Sequence, residues 1–235
     1  MRFLIPSLFW GAVLVVAAAT ASVDAADEFD ADLNPSCGEW AGRGECERNP
    51  AYMEANCATS CGILEQQAAA EAAQLEGIGS FFDLTAADID GNPVRFEQFR
   101  GQVTILTNVA SYCGYTESHY TGLVELWCQL SGENVNILAF PCNQFGKQEP
   151  GTADEIKKFA AEKGVQFKMM EKIDVNGPDA AIVYKFLKRE TGVDFIQWNF
   201  ATYFVIAPDG SMTQHSGVDP LDLKGFALSL LKEEL

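Results

Sequence analysis

Positive charge is what this chain most lacks. Lys and Arg number 16 against 33 Asp and Glu, a formal net charge of −17 over 235 residues. Such a chain repels polyanions, so neither nucleic acid nor stable binding to an anionic membrane is expected. The deficit is uneven: residues 26–77 carry 11 acids and 2 bases, and residues 78–235 carry 21 and 13. Histidine is scarce too, present only as His119 and His215; no triad-like pairing is suggested, and both read as surface or structural residues. No phosphate loop, metal-ligand set or cofactor motif appears, so no cofactor is expected. The length allows one or two domains and an ample core.

What is present begins with a leader. Met1-Arg2 is a minimal positive start, Phe3 to Ala19 is nearly uninterrupted apolar sequence, and small residues follow at Ala19-Thr-Ala21 and Val23-Asp-Ala25. That pattern reads as a secretory signal peptide over 1–25, cleaved after Ala25 or Ala21. The rival is an uncleaved anchor, because Phe3 to Val23 is long enough to span a bilayer. Asp27-Glu-Phe-Asp-Ala-Asp32 speaks against an organellar transit segment, which avoids acids.

Four of the seven cysteines, Cys37, Cys46, Cys57 and Cys61, fall within 25 residues. A short, core-poor stretch of this kind suggests a disulfide framework and an oxidising compartment. Metal binding is the rival, but the spacings do not match paired C-x-x-C zinc arrangements. After it, Ile63 to Leu75 is rich in strong helix formers and reads as a semi-rigid spacer of roughly 20 Å within a linker over 63–78.

The remainder alternates between strand and helix. Ser80 to Leu84 and Pro93 to Phe96 flank the turn Asp90-Gly91-Asn92; Val103–Asn108 and Val135–Phe140 read as strands, and 117–130 as a helix. Thr152 with Glu155 forms a capping-box pattern. Phe167 to Val175 reads as irregular or strand-like, Pro178 opens a helix through Lys188, Thr202 to His215 is strand–turn–strand, and Pro220 to Lys232 is helical. The pattern fits an α/β sheet with helices on both faces.

Cys113 sits where the apolar run 103–108 ends and the helix begins. Backbone N–H groups at a helix N-terminus lack intrahelical partners and carry partial positive charge, which favours a thiolate over a thiol. Gly114 follows directly, and Thr116 is placed to cap the helix. A buried structural cysteine is the rival reading.

The stretch Asn108-Val-Ala-Ser-Tyr-Cys-Gly-Tyr-Thr116 resembles the active-site signature of the glutathione peroxidases, with cysteine where many members carry selenocysteine. Phe140-Pro-Cys-Asn-Gln-Phe-Gly-Lys-Gln-Glu-Pro-Gly151 resembles the second signature of that family and Trp198-Asn-Phe200 the third. The resemblance covers about Gly79 to Leu231 and implies a thioredoxin fold over 79–235. It also implies a thiol-dependent peroxidase in which Cys113 becomes a sulfenic acid, assisted by the side chains of Gln148, Trp198 and Asn199. Gly146 and Gly151 would permit the bend that brings Gln148 inward. Glutathione or a protein dithiol, such as a protein disulfide isomerase, would be the reducing co-substrate. The negative charge makes membrane lipid hydroperoxides a less favoured substrate than soluble ones.

Thioredoxin-dependent members of that family carry a second cysteine in the helix after the second block, where this chain has Lys158-Phe-Ala-Ala161. Cys142 is expected to be buried and structural, and Cys128 to be a small core residue. An external thiol is therefore expected to resolve Cys113. The alternative is a redox relay or sensor with little turnover of its own. The short connection from Lys188 to Trp198 is similar to that of members lacking an oligomer-forming loop, so a monomer is expected.

Cys37 to Cys61, with its Trp-Ala, Gly-Glu-Cys, Asn-Pro and Tyr-Met elements, resembles a ShK-toxin-like (ShKT) module over 26–62 that lacks the first and last of the usual six cysteines. The resemblance implies the pairs Cys37–Cys57 and Cys46–Cys61. Ala51 stands where channel-blocking toxins carry lysine, so a docking or spacer role is expected, and an extracellular binding protein led by this module is a third reading. Lys232-Glu-Glu-Leu235 resembles a KDEL-type retrieval signal, which with the leader points to the endoplasmic reticulum lumen, or else to secretion.

Overall fold

The computed structural model describes residues 31–232; the proposed leader and all but the first residue of the C-terminal tetrapeptide lie outside them. The described residues fall into two compact units, divided between Glu65 and Gln66. No helix among them is long and apolar enough to cross a membrane.

The first unit is helical: α1 (Cys37–Gly42), α2 (Glu45–Arg48), α3 (Pro50–Asn56) and the start of α4 (Ala58–Gln74). The expected spacer helix is thus longer, beginning before Cys61. Disulfides join Cys37 to Cys57 and Cys46 to Cys61. Cys37, Ala41, Met53 and Cys57 are the buried residues of its small core. That is too little apolar burial to hold four short helices, so the covalent staples supply much of the constraint.

The second unit opens with a short hairpin, β1 (Thr85–Ala87) and β2 (Pro93–Arg95), around the expected 90–92 turn. Ser80 to Leu84 is not its first strand. It is a 3-10 turn, Phe81–Asp83, because Ser80 and Asp83 form a reciprocal capping box that closes the backbone into a helical turn.

The main sheet contains β3 (Val103–Val109), β4 (Val135–Pro141), β5 (Lys168–Met169), β6 (Thr202–Ile206) and β7 (Met212–Ser216), in the order β5-β4-β3-β6-β7. β3 is parallel to β4 and antiparallel to β6. Side-chain alternation splits the core in two. Leu106, Leu138, Phe140, Phe204 and Ile206 pack on one face with Phe81, Phe96 and residues of α7 (Ile182–Thr191). Ile105, Val109, Ile137, Tyr203 and Val205 pack on the other with residues of α5 (Thr116–Gln129), α6 (Ala153–Glu162) and α8 (Leu223–Leu230). Every residue of β3 is buried, as a strand covered on both faces requires.

Two helix boundaries differ from expectation. Pro178 does not open α7; Gly177 at φ 82° and the bond from Ala180 N–H to Gly177 O form a turn there, so the helix waits until Ile182. The C-terminal segment is a 3-10 turn, Pro220–Asp222, before α8.

Candidate active site

Cys113 occupies the connection between β3 and α5 and is 7% exposed. Its N–H donates to Thr116 Oγ1 at 2.9 Å, and that hydroxyl donates to Ala110 O at 2.6 Å. Thr116 therefore does not cap α5. The helix begins at Thr116, with Tyr115 at the N-cap and no side-chain capping bond, and the threonine instead braces the cysteine's turn from inside. Tyr115, at the N-cap, donates its backbone N–H to Cys113 Sγ at 3.5 Å, so one amide at the head of α5 reaches the sulfur, while the Thr116 N–H is spent on Cys113 O at 3.0 Å.

The second block is hydrogen-bonded to this turn. Tyr112 N–H donates to Gln148 O at 3.0 Å. Gly146 and Lys147 are both left-handed, at φ 60° and 54°, and fold the segment back before Gln148. Gly146 suits that conformation; Lys147 is one of two non-glycine residues with positive φ among the described residues and carries strain there. Gly151 is different: a Cβ there would lie 3.4 Å from Glu155 and Ile156, so it permits close packing on α6 rather than a left-handed bend. Gln148 Oε1 is buried without a hydrogen-bond partner among the described groups.

The third block docks on the end of β3. Asn108 Nδ2 donates to Asn199 Oδ1 at 2.9 Å and to Trp198 O at 3.3 Å, while Phe200 N–H donates to Asn108 O at 2.8 Å. Phe200, at φ 63°, is the other strained non-glycine residue. Asn199 is fully buried and its Nδ2 has no partner among the described residues. Trp198 remains 38% exposed, its ring 5.6 Å from Phe145 of the second block. Each left-handed residue thus adjoins an amide left with an unspent hydrogen-bonding atom, Lys147 beside Gln148 and Phe200 beside Asn199, a pattern characteristic of sites built to meet a ligand; Asn108 Oδ1 is a third such atom.

Two participants escape a reading of sequence alone. Glu149 is fully buried; its Oε1 accepts from Ser111 Oγ at 2.8 Å, its N–H donates to Asn143 Oδ1 at 2.9 Å, and its Oε2 has no partner. Burial pushes this carboxyl up, opposed by the Ser111 bonds and the Lys172 charge. Asn108 is the other, for only the fold reveals that it holds the third block. The signal available was a polar residue closing an apolar strand.

The remaining cysteines are set apart. Cys142 is buried in the core on the opposite face of the sheet from Cys113, and burial pushes its thiol up to about 11. Cys128 is exposed on α5, which corrects its expected place in the core: Leu123 and Leu126 face the sheet and turn position 128 outward. Lys158 to Ala161 lies within α6, whose expected capping box at Thr152 and Glu155 is present. His119 Nδ1 is 2.6 Å from Tyr203 Oη, and the His215 ring lies 4.8 Å from that of Phe226 at a tilt of 58°.

A family model described as glutathione peroxidase matches residues 81–188, and one described as ShK domain-like matches residues 29–63. A glutathione peroxidase of Schistosoma mansoni is 44% identical over 160 residues, which is 66% of this chain and 95% of that one. The chain belongs to the glutathione peroxidase family. It is thereby a peroxidase-class oxidoreductase by kinship, with a thioredoxin fold. A mitochondrial phospholipid hydroperoxide glutathione peroxidase of Arabidopsis thaliana is 47% identical over 158 residues, 65% of this chain and 68% of the relative. Against a chloroplastic glutathione peroxidase of the same plant, also 47% identical, the match spans 54% of this chain and little more than half, 56%, of the relative. The crystal structure described as Trgpx in apo form superposes with a TM-score of 0.55 at 33% identity, over 65% of this chain and 95% of its own.

Proposed function

We propose that the second unit is a thiol peroxidase whose peroxidatic residue is Cys113, with Gln148, Trp198 and Asn199 as donors around the sulfur. The thiolate attacks one peroxide oxygen; the O–O bond breaks, and the leaving oxygen takes the electron pair and a proton to depart as alcohol or water. Cys113 is left as a sulfenic acid. A first external thiol condenses with it to a mixed disulfide, releasing water; a second thiol then attacks the sulfur of the first, forming a disulfide between the two external thiols and expelling Cys113 as the restored thiolate. The observation that carries this reading is the pair of buried amide groups with unspent atoms, Gln148 and Asn199, each on a segment hydrogen-bonded to β3 or to the cysteine's turn. Asn199 Nδ2 is the free donor of the two, able to stabilise charge that develops on a leaving oxygen, whereas the free atom of Gln148 is its acceptor, Oε1.

Glutathione or a protein dithiol serves as reductant in this scheme. Tyr112, Tyr115, Phe195 and Trp198, all substantially exposed around the first and third blocks, favour a macromolecular partner. The same aromatic surface supports the second reading, a relay that passes oxidation to a disulfide isomerase-like protein. Residues 37–61 act as a docking or spacer module, and the chain works in the endoplasmic reticulum lumen.

Stopped-flow tryptophan fluorescence of the reduced protein against hydrogen peroxide, beside Cys113→Ser, tests the core of this proposal. A fast second-order phase that the variant lacks is expected. A rate no better than that of an ordinary free thiol would overturn it.

A further inference from the structure

A groove of about 560 Å³ is walled by Tyr115, His119, Trp198, Phe200, Val218 and Asp219. It shares two residues with the candidate site, since the Tyr115 backbone contacts Cys113 Sγ and Trp198 is a proposed donor. Hydrogen peroxide, little larger than water, has no use for such a space; it falls within the roughly 300–1,000 Å³ typical of pockets for small organic molecules.

The walls are largely aromatic. His119 lies 5.4 Å from both Tyr115 and Phe200, and its ring stacks at 6.1 Å on buried Tyr203. Among the described residues no Lys or Arg lines the groove, and burial holds the His119 imidazole below its ordinary value, with Asp219 pulling the other way. Asp219 is the single carboxylate of the lining. Its Oδ1 accepts from Leu221 N–H at 2.9 Å, which fixes it at the head of the turn Pro220–Asp222. That turn sits close on α5 because residue 122 is glycine: a Cβ there would meet Pro220 Cγ at 3.1 Å. The groove therefore presents an apolar aromatic wall with one fixed negative charge and no cation.

We propose that this groove receives the organic part of neutral hydroperoxides and that Asp219 makes it reject hydroperoxides bearing a carboxylate, an inference that rests on Cys113 being the peroxidatic residue. A like charge against this exposed carboxylate, which has no cation beside it in the groove, opposes binding, and the opposition grows as salt is removed.

The test uses the full reduced chain at low ionic strength. Cys113 oxidation is followed with cumene hydroperoxide, its ring-carboxylated analogue, and the methyl ester of that analogue, which matches the acid in size but not in charge. The ester is expected to react several-fold faster than the acid, on the order of five-fold for one nearby like charge. Asp219→Asn keeps the capping acceptor, since asparagine caps as well as aspartate, and is expected to bring the ratio close to one. Asp209→Asn makes the same change in net charge outside the groove and should leave the ratio intact. Equal rates for acid and ester in the native chain would overturn the proposal, as would a ratio that survives Asp219→Asn. Hydrogen peroxide separates this failure from the larger one: oxidation of Cys113 by peroxide with indifference to probe charge overturns the groove alone. Failure of every oxidant overturns the peroxidatic cysteine as well.

Discussion

Asn108 and Asn199 face each other in the buried interior, the Nδ2 of the first donating to the Oδ1 of the second at 2.9 Å. That bond fixes which end of the Asn199 amide is spent and which is free. Asn108→Ala removes it together with the bond to Trp198 O; Trp198 O keeps the Ala201 N–H, but Asn199 Oδ1 is left buried and unpaired at a cost of about 1–3 kcal/mol where water cannot enter. The expected outcome is a chain destabilised by a few kcal/mol in urea titration. In the proposed mechanism it also oxidises Cys113 at least about ten-fold more slowly, because the third block loses its register. A stability loss with no change in the oxidation rate would remove Asn199 from the proposed donors.

Glu149 carries a pH signature. Burial raises its folded-state value above the unfolded one of about 4.3, so the folded chain holds the proton to higher pH than the unfolded chain does. The group's favourable contribution is complete below the unfolded value and is lost as pH rises through the folded one, at a slope of at most about 1.4 kcal/mol per pH unit. Ser111, Tyr120 and Lys172 are the groups that share its surroundings. Glu149→Gln keeps an acceptor for Ser111 Oγ and cannot ionise. Its stability relative to the native chain should therefore climb with pH across that window and level off above it. Chemical denaturation of both proteins from pH 4 to 8 would reveal a flat difference if the carboxyl were not perturbed.

The sequence made the central strand, the helix after Thr152 and the three blocks legible because each carries a strong local pattern: a run rich in β-branched and apolar residues, a capping box, or a motif several residues long. It misled where a local cue met a tertiary competitor. Thr116 looks like a cap, but the N–H of Cys113 and the carbonyl of Ala110 claim its hydroxyl. Pro178 is a common opener of helices, yet the turn after Gly177 holds it outside α7. Cys128 stands among apolar neighbours in the chain and faces outward in space. Glu149 has no periodic or motif signature that separates a buried carboxylate from a loop acid, so its role emerges only from the fold.

The resolving step yields a further prediction. Cys142 lies in the core on the far face of the sheet from Cys113, and its thiol is pushed up to about 11. It is scarcely ionised at neutral pH and packed away from the peroxidatic sulfur. Cys128 is reachable by solvent, but 12 residues of α5 separate it from Thr116, about 18 Å along a helix. Neither is placed to form a disulfide with Cys113 in the folded chain. One equivalent of peroxide should therefore leave Cys113 as a sulfenic acid that a dimedone probe captures, and the Cys142→Ser variant should retain thiol-driven turnover within about two-fold, even though its buried hydroxyl costs about 1–3 kcal/mol of stability. An intramolecular disulfide detected by mass spectrometry of the oxidised protein would contradict this.

The two disulfides of the first unit are expected to differ in what their loss costs. By loop length alone they are close: separations of 20 and 15 residues are each worth roughly 3 kcal/mol in the chain-entropy model. Their surroundings separate them. Cys37 and Cys57 are nearly inaccessible and make up half of the unit's four buried core residues, whereas Cys46 and Cys61 only pack against that core from its edge. Replacing Cys37 and Cys57 together by serine removes the staple and also puts two hydroxyls in the apolar centre, an added penalty of about 1–3 kcal/mol apiece by protein mutational measures. The same double change at Cys46 and Cys61 removes the staple with little burial cost. Limited proteolysis between residues 37 and 61 should thus be much faster in the Cys37/Cys57 variant than in the Cys46/Cys61 variant. Equal rates would mean that covalent closure, and not the small core, is all that holds these helices together.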